Sequence, residues 1–129
     1  MISIVEDDAL VREATMNLLQ SFGFTAASFA SAEEFLESHC IEGTTCLILD
    51  VQLPGLNGIE LQRRLRDSGN PIPVVFVTAF PDERIRMHAL ADGAVGFLRK
   101  PYDAPCLIDC IHKALGRNDL RSSDCPMRR

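Results

Sequence analysis

Short apolar runs alternate along the chain with longer segments whose apolar residues recur at helical spacing. Near-continuous runs of valine, isoleucine and leucine are typical of strands that are covered on both faces of a sheet. The pattern predicts five such strands: Ile2 to Val5, Thr25 to Phe29, Cys46 to Leu49, Val74 to Val77, and Val95 to Leu98.

The segments between the strands carry residues that start and stop helices. The first helix is predicted from Ala9 to Phe22, and the second opens at Ser31, three residues before Glu34, in the form of a capping box. The third helix follows the Pro54-Gly55 turn. The predicted N-caps are Asp8, Ser31, Asp82 and Asp103, and the predicted stops are Gly23, Gly69, Gly93 and Gly116.

Strand and helix therefore alternate five times, which predicts an α/β fold with a parallel sheet covered by helices on both faces. Right-handed crossovers make such a sheet doubly wound. We expect one domain over residues 1–116, and a polar tail or the start of a linker over 117–129. The fourth helix has the weakest apolar pattern of the five.

Composition and charge exclude several classes of protein. The net charge of −5 argues against direct nucleic-acid binding by this chain, because such domains carry a basic patch. The five cysteines form no C-x-x-C pair, and Cys106 and Cys110 lack a well-placed third ligand, so reduced, mostly buried thiols are expected rather than zinc. With neither a leader nor a membrane span in the sequence, we expect a cytoplasmic location.

Polar and charged residues follow four of the predicted strands. Ligand sites in doubly wound folds lie beyond the carboxyl ends of the strands, so these residues are expected to converge. Each residue alone has an ordinary explanation, such as a cap, a strand threonine or a surface lysine. Their joint placement is specific. The residues are Glu6-Asp7-Asp8 after the first strand, Asp50 after the third, Thr78 after the fourth and Lys100 after the fifth.

This set of groups fits phosphoryl transfer. Carboxylates held close together need a cation, and hard oxygen ligands favour Mg²⁺. One carboxylate can then act as the nucleophile and form an acyl phosphate. A lysine would neutralise a phosphoryl oxygen, and a threonine hydroxyl would donate a hydrogen bond to another.

With these residues the chain resembles the receiver domains of bacterial two-component response regulators over about residues 2 to 116. The Phe80-Pro81 step and the lean fourth helix look most like FixJ-type receivers, which belong to transcription factors of the LuxR class. The resemblance implies a flavodoxin-like fold with strand order 2-1-3-4-5. The matching segments are Ile4 to Asp8, Leu47 to Asp50, Leu53 to Gly58, Val77 to Ala79, Gly93-Ala94 and Leu98 to Pro101.

The resemblance also implies a role for each site residue. Asp50 would accept a phosphoryl group from a sensor histidine kinase. Asp7, the Asp50 carboxylate and the backbone carbonyl of Gln52 would bind Mg²⁺ directly, and Glu6 would act through water. Thr78 and Lys100 would hold the phosphoryl group.

A conformational switch is implied as well. Thr78 would move toward the phosphoryl group while Phe97 turns inward, which repacks the face formed by the fourth helix, fifth strand and fifth helix. That change would control dimerisation or an output domain, with transcription as the expected output. The Lys100–Pro101 bond is expected to be cis, as in the family.

Two departures from the family bear on function. Glu6 stands where many members have aspartate, and we expect function to persist. Gln52 and Phe80 replace groups that some members use to position the hydrolytic water, so slow dephosphorylation is expected. Beyond its own phosphorylation and dephosphorylation, the domain is expected to catalyse nothing.

Three alternative functions fit these residues less well. A haloacid-dehalogenase-type phosphatase needs a second aspartate two positions after the nucleophile, where this chain has Gln52. A flavodoxin-like cofactor binder needs a glycine- and hydroxyl-rich phosphate loop after the first strand, where this chain is acidic. A stand-alone or non-phosphorylated receiver that acts only as a protein-docking module is disfavoured by the intact acidic trio, Thr78 and Lys100.

Overall fold

A computed structural model describes residues 1–116, and its strands lie close to the predicted apolar runs. Two strands extend one residue further than predicted, to Asp50 and Thr78, and the fifth is displaced by one residue. The strands are β1 (Ile2–Val5), β2 (Ala26–Phe29), β3 (Cys46–Asp50), β4 (Val74–Thr78) and β5 (Gly96–Arg99).

The five predicted helices are present between and after the strands. Asp8, Asp82 and Asp103 cap their helices as predicted, each accepting a hydrogen bond from a backbone N–H group of the first turn. The helices are α1 (Ala9–Ser21), α2 (Ala32–Glu37), α3 (Gly58–Asp67), α4 (Glu83–Ala91) and α5 (Ala104–Leu115).

The predicted capping box of α2 is only half formed. Ser31 accepts a hydrogen bond from the Glu34 N–H group, but the Glu34 carboxylate accepts its bond from Ala30 N at 3.1 Å rather than from Ser31 N. A complete capping box occurs instead at α3, where Asn57 and Glu60 each accept from the backbone of the other. The sequence pattern did not indicate that second box.

All strand pairs are parallel, and the sheet order is β2-β1-β3-β4-β5, which confirms the predicted doubly wound fold. In this order β1 and β3 are neighbours at the centre of the sheet, with Val5 paired to Leu49. From β1 the chain adds β2 on one side, and it then crosses back to add β3, β4 and β5 on the other side. The carboxyl ends of these two strands are where such a fold forms its crevice.

Two hydrophobic clusters pack on opposite faces of the sheet, because successive strand side chains point to opposite sides. The first cluster joins strand residues such as Leu49 and Phe76 to the buried faces of α2, α3 and α4. The second joins Ile4 and Ile48 to α1 and α5. Three helices therefore cover one face of the sheet, and two helices cover the other.

Helix α4 is weakly anchored, in keeping with its poor apolar pattern. Ala89 is its only buried residue, whereas Met87 is 60% exposed and Leu90 is 38% exposed. By contrast, α5 buries four side chains against the second cluster. A helix with so little buried surface belongs to the parts of a fold that open locally at a low cost in free energy.

The structure also bears on the predictions about the cysteines and about membrane-spanning segments. Cys46 is buried and Cys40 and Cys110 are half-buried, but Cys106 is exposed, so the prediction of mostly buried thiols is wrong for that residue. Cys125 and the predicted tail or linker start at 117–129 lie outside the described residues. Within residues 1–116, no helix combines the length and apolar character needed to cross a bilayer.

Candidate functional site

The carboxyl ends of the two central strands bring their acidic residues together. Val5 pairs with Leu49, so Glu6 and Asp50, the next residues along each strand, emerge side by side. One carboxylate oxygen from each of Glu6, Asp7 and Asp50 can be chosen so that all three lie within 4.8 Å of one another. Glu6 and Asp50 are buried, with 2% and 4% of their surface exposed, whereas Asp7 faces solvent.

The chemistry of this donor set fits a magnesium ion. The three acidic residues offer hard oxygen ligands, and the exposed side of Asp7 leaves room for the waters that Mg²⁺ retains. Two buried carboxylates and a third at the surface would otherwise repel one another. The sequence analysis placed these three acidic residues at one site, and the structure brings them together.

Lys100 lies between the two buried carboxylates. Its Nζ is 2.8 Å from Asp50 Oδ2 and 2.6 Å from Glu6 Oε1, and its side chain is only 15% exposed. Burial alone would lower the pKa of Lys100, but its hydrogen bonds to Asp50 and Glu6 outweigh that effect and raise the pKa above its ordinary value. The ammonium group is therefore charged and fixed beside the Asp50 carboxylate.

Burial has a large effect on the ionisation of Glu6. Burial raises its pKa from 4.5 to about 7, although the hydrogen bond from Lys100 and the one from the backbone of Asp8 both act to lower it. Asp8 N donates to Glu6 Oε2 at 3.1 Å, and Arg12 Nη1 donates to the backbone oxygen of Glu6 at 2.8 Å. The loop that presents the acidic residues is thus held at several points by the start of α1.

Thr78 ends the strand next to Asp50. It is 1% exposed, and its hydroxyl oxygen accepts a hydrogen bond from Phe80 N at 3.1 Å. Its own hydroxyl proton is not used in that bond. Lys100 N donates to Thr78 O at 2.7 Å, so the backbone ties the last residue of β4 to the lysine.

The loop from β3 to α3 wraps the other side of Asp50. Gln52 N donates to Asp50 Oδ1 at 2.9 Å, which fixes one oxygen of the carboxylate while Lys100 holds the other. The Gln52 side chain is exposed, and its backbone N–H group is the part that contacts Asp50.

Phe97 lies outside the cluster of charged residues. It pairs with Phe76 across β4 and β5, and the two rings have centroids 6.1 Å apart. The ring is half-buried against the first hydrophobic cluster, on the same side of the sheet as α4. Three residues later, the Lys100–Pro101 peptide bond is cis.

Sequence reasoning missed one contact that steadies the lysine loop. Tyr102 OH lies 2.7 Å from Thr15 Oγ1, and it joins the segment after Lys100 to α1 across 87 positions of sequence. Thr15 is 4% exposed and also donates to Val11 O at 2.9 Å. No local pattern could have indicated this pair, because neither residue belongs to a recognisable motif.

Comparison with known proteins agrees with this geometry. The family model described as the response regulator receiver domain matches residues 2–114. Nodulation protein W of Bradyrhizobium diazoefficiens is 38% identical over 121 residues, which cover 94% of this chain and 53% of the relative. The transcriptional regulatory protein FixJ of the same organism is 35% identical over 114 residues, covering 88% of this chain and 56% of FixJ.

A solved structure of the response regulator StyR superimposes with a TM-score of 0.84 at 39% identity, covering 98% of this chain and 64% of that one. The chain spans about half the length of the two curated relatives named above. The match of the family model to nearly all of residues 1–116, with the predicted sheet order, confirms the resemblance seen in the sequence. The chain therefore belongs to the family of response regulator receiver domains.

Proposed function

We propose that this domain takes a phosphoryl group onto Asp50 in a reaction that depends on Mg²⁺. The proposal rests on the groups that surround the Asp50 carboxylate. Asp50 is buried, Lys100 Nζ lies 2.8 Å from its Oδ2, and oxygens of Glu6 and Asp7 lie within 4.8 Å of it. An aspartate that only capped the end of a strand would need neither the lysine nor the two further acidic residues beside it.

Different residues of the chain have different roles in the phosphoryl transfer. An Asp50 carboxylate oxygen attacks the phosphorus atom of a phosphohistidine, the new O–P bond forms, and the P–N bond breaks with its electron pair returning to the imidazole. Lys100 and the Thr78 hydroxyl hold the phosphoryl oxygens. Mg²⁺, bound by Asp7, Asp50 and the Gln52 carbonyl with Glu6 acting through water, would neutralise the charge that develops on those oxygens.

The donor and the output follow from family membership. We propose that the donor is a sensor histidine kinase in the cytoplasm, and that transcription is the process controlled, as the name of the relative FixJ states for that protein. Phosphorylation would draw Thr78 inward and turn Phe97, which repacks α4, β5 and α5. That face would then control a homodimer or an output domain. The weak anchoring of α4 supports this choice of moving element.

Intact mass spectrometry after incubation with acetyl phosphate tests the proposal. We expect one added phosphoryl group in the presence of Mg²⁺ and none after chelation with EDTA. Asp50→Asn should lose the modification, while Asp67→Asn, which alters an exposed aspartate at the end of α3, should keep it. A folded wild-type protein that gains no mass with Mg²⁺ present would instead identify a receiver that acts only as a docking module.

A further inference from the structure

The loop of residues 51–57 contains Gln52, whose backbone carbonyl is the proposed third protein ligand of Mg²⁺. Its first residues are tied to the site, since Gln52 N donates to Asp50 Oδ1 at 2.9 Å and Gly58 N donates to Val51 O at 3.0 Å. Pro54 and Gly55, at the middle of the loop, are exposed. What holds that middle part in place therefore affects where the Gln52 carbonyl lies.

Glu33 makes a hydrogen bond from another helix to this part of the loop. The residue lies in the first turn of α2, and its Oε2 accepts from Leu56 N at 2.9 Å across 23 positions of sequence. A hydrogen bond to a charged acceptor is stronger than one between neutral groups. It lowers the pKa of Glu33, so the side chain is ionised at neutral pH.

Gly55 allows the carboxylate to come this close. Its φ is +75°, a conformation that residues with side chains rarely adopt, and a Cβ atom there would lie 2.7 Å from Glu33 Oε2. The absence of a side chain at Gly55 therefore leaves room for the Glu33 carboxylate beside Leu56 N.

We infer that Glu33 is a positioning residue, whose hydrogen bond to Leu56 N fixes the loop of residues 51–57 and so couples α2 to the affinity of the site for Mg²⁺. The inference rests on the proposed function, because it needs Mg²⁺ to bind through the Gln52 carbonyl. The coupling is reciprocal: Mg²⁺ binding should also strengthen the bond between α2 and the loop. Any partner that moves α2 would thereby change how readily Asp50 is phosphorylated.

The test is an NMR titration with Mg²⁺ of wild type and three variants in the same chain. Glu33→Ala removes the acceptor, and we expect its Mg²⁺ affinity to fall about five- to tenfold, the effect of losing a single hydrogen bond. Glu33→Gln keeps an acceptor oxygen and should stay within about twofold of wild type, because the hydrogen bond survives without the charge. Glu37→Ala removes a charge from the exposed end of the same helix and should also stay within about twofold.

A second measurement needs no variant and covers the case in which Glu33→Ala fails to fold. Hydrogen exchange at the Leu56 amide of wild type should slow when Mg²⁺ is added, because the two events are linked. Equal Mg²⁺ affinities for Glu33→Ala and Glu37→Ala, or unchanged exchange at Leu56, would overturn the inference while leaving phosphorylation of Asp50 intact. Wild-type protein that binds no Mg²⁺ would overturn the proposed function and the inference together.

Discussion

Gly58 lies directly against the backbone carbonyl oxygen of Asp50. A Cβ atom at position 58 would overlap that oxygen and would come within 3.1 Å of Val51 Cα. Both neighbours are backbone atoms, so neither can swing aside as a flexible side chain would. The first residue of α3 is therefore restricted to glycine by the backbone of Asp50 and Val51. Glycine is needed here for this close packing and not for an unusual φ angle.

Gly58→Ala should destabilise the domain by about 1–3 kcal/mol, since an extra methyl group in a packed region forces the backbone to shift. The measurement is urea unfolding. Gly43→Ala is the matched control, because the nearest atom to a Cβ there, Cys40 O, lies at an ordinary 3.9 Å. Equal unfolding free energies for the two variants would contradict the close approach at Gly58.

Removal of the lysine should make stability depend on Mg²⁺. Lys100→Met leaves the buried carboxylates of Glu6 and Asp50 without their shared cation, which we expect to cost about 1–3 kcal/mol in metal-free buffer. Saturating Mg²⁺ should recover part of that loss by compensating the same charge. Lys113→Met, at an exposed position of α5, should lose little in either buffer. A loss that is equal with and without Mg²⁺ would argue against a metal at this cluster.

Tyr102 should give the domain a measurable sensitivity to alkali. Burial raises the pKa of its phenol above the ordinary 10.0, so the folded state holds the proton more tightly than the unfolded state. Its contribution to stability is then complete below pH 10.0 and declines as the pH rises toward the folded-state pKa. The chain contains one tyrosine, so absorbance at 295 nm follows this group alone.

Tyr102→Phe should remove that alkaline decline and should also cost about 1 kcal/mol at neutral pH. The loss of stability at neutral pH is that of one hydrogen bond. Thr15 Oγ1 already donates its proton to Val11 O, so the Tyr102 hydroxyl is the donor in the 2.7 Å contact between the two side chains. Thermal unfolding at pH 7 and pH 10.5 of both proteins separates the two effects. An unchanged alkaline decline in Tyr102→Phe would assign it to another group.

The phosphoryl group on Asp50 should persist for minutes or longer. Neither Gln52 nor Phe80 supplies a carboxylate to orient a water molecule, and the Phe80 side chain is 70% exposed beside the site. Following the decay of the added mass after removal of acetyl phosphate gives the half-life. A half-life of seconds would contradict this expectation, and Phe80→Glu should shorten it if the position governs access of water.

The sequence predicted those parts of the molecule that depend on local pattern. Apolar runs located the strands to within one residue, and Asp8, Asp82 and Asp103 cap their helices as expected, because both signals act over a few residues. The sequence also predicted that Glu6 and Asp50 lie close together, since parallel strands bring their carboxyl ends to one edge of the sheet.

Contacts between distant segments could not be predicted in the same way. Glu33 bonds to Leu56 N and Tyr102 to Thr15 because of how α2, α1 and the loops pack, and no spacing in the sequence encodes those distances. The half-formed capping box at Ser31 is a local departure: the Glu34 carboxylate accepts from Ala30 N rather than from Ser31 N.

The sheet keeps its two hydrophobic clusters apart, with α2, α3 and α4 on one side and α1 and α5 on the other. Substitutions of distant residues that share no partners have nearly additive effects on stability, so the cost of a replacement in one cluster should be nearly independent of a distant replacement in the other.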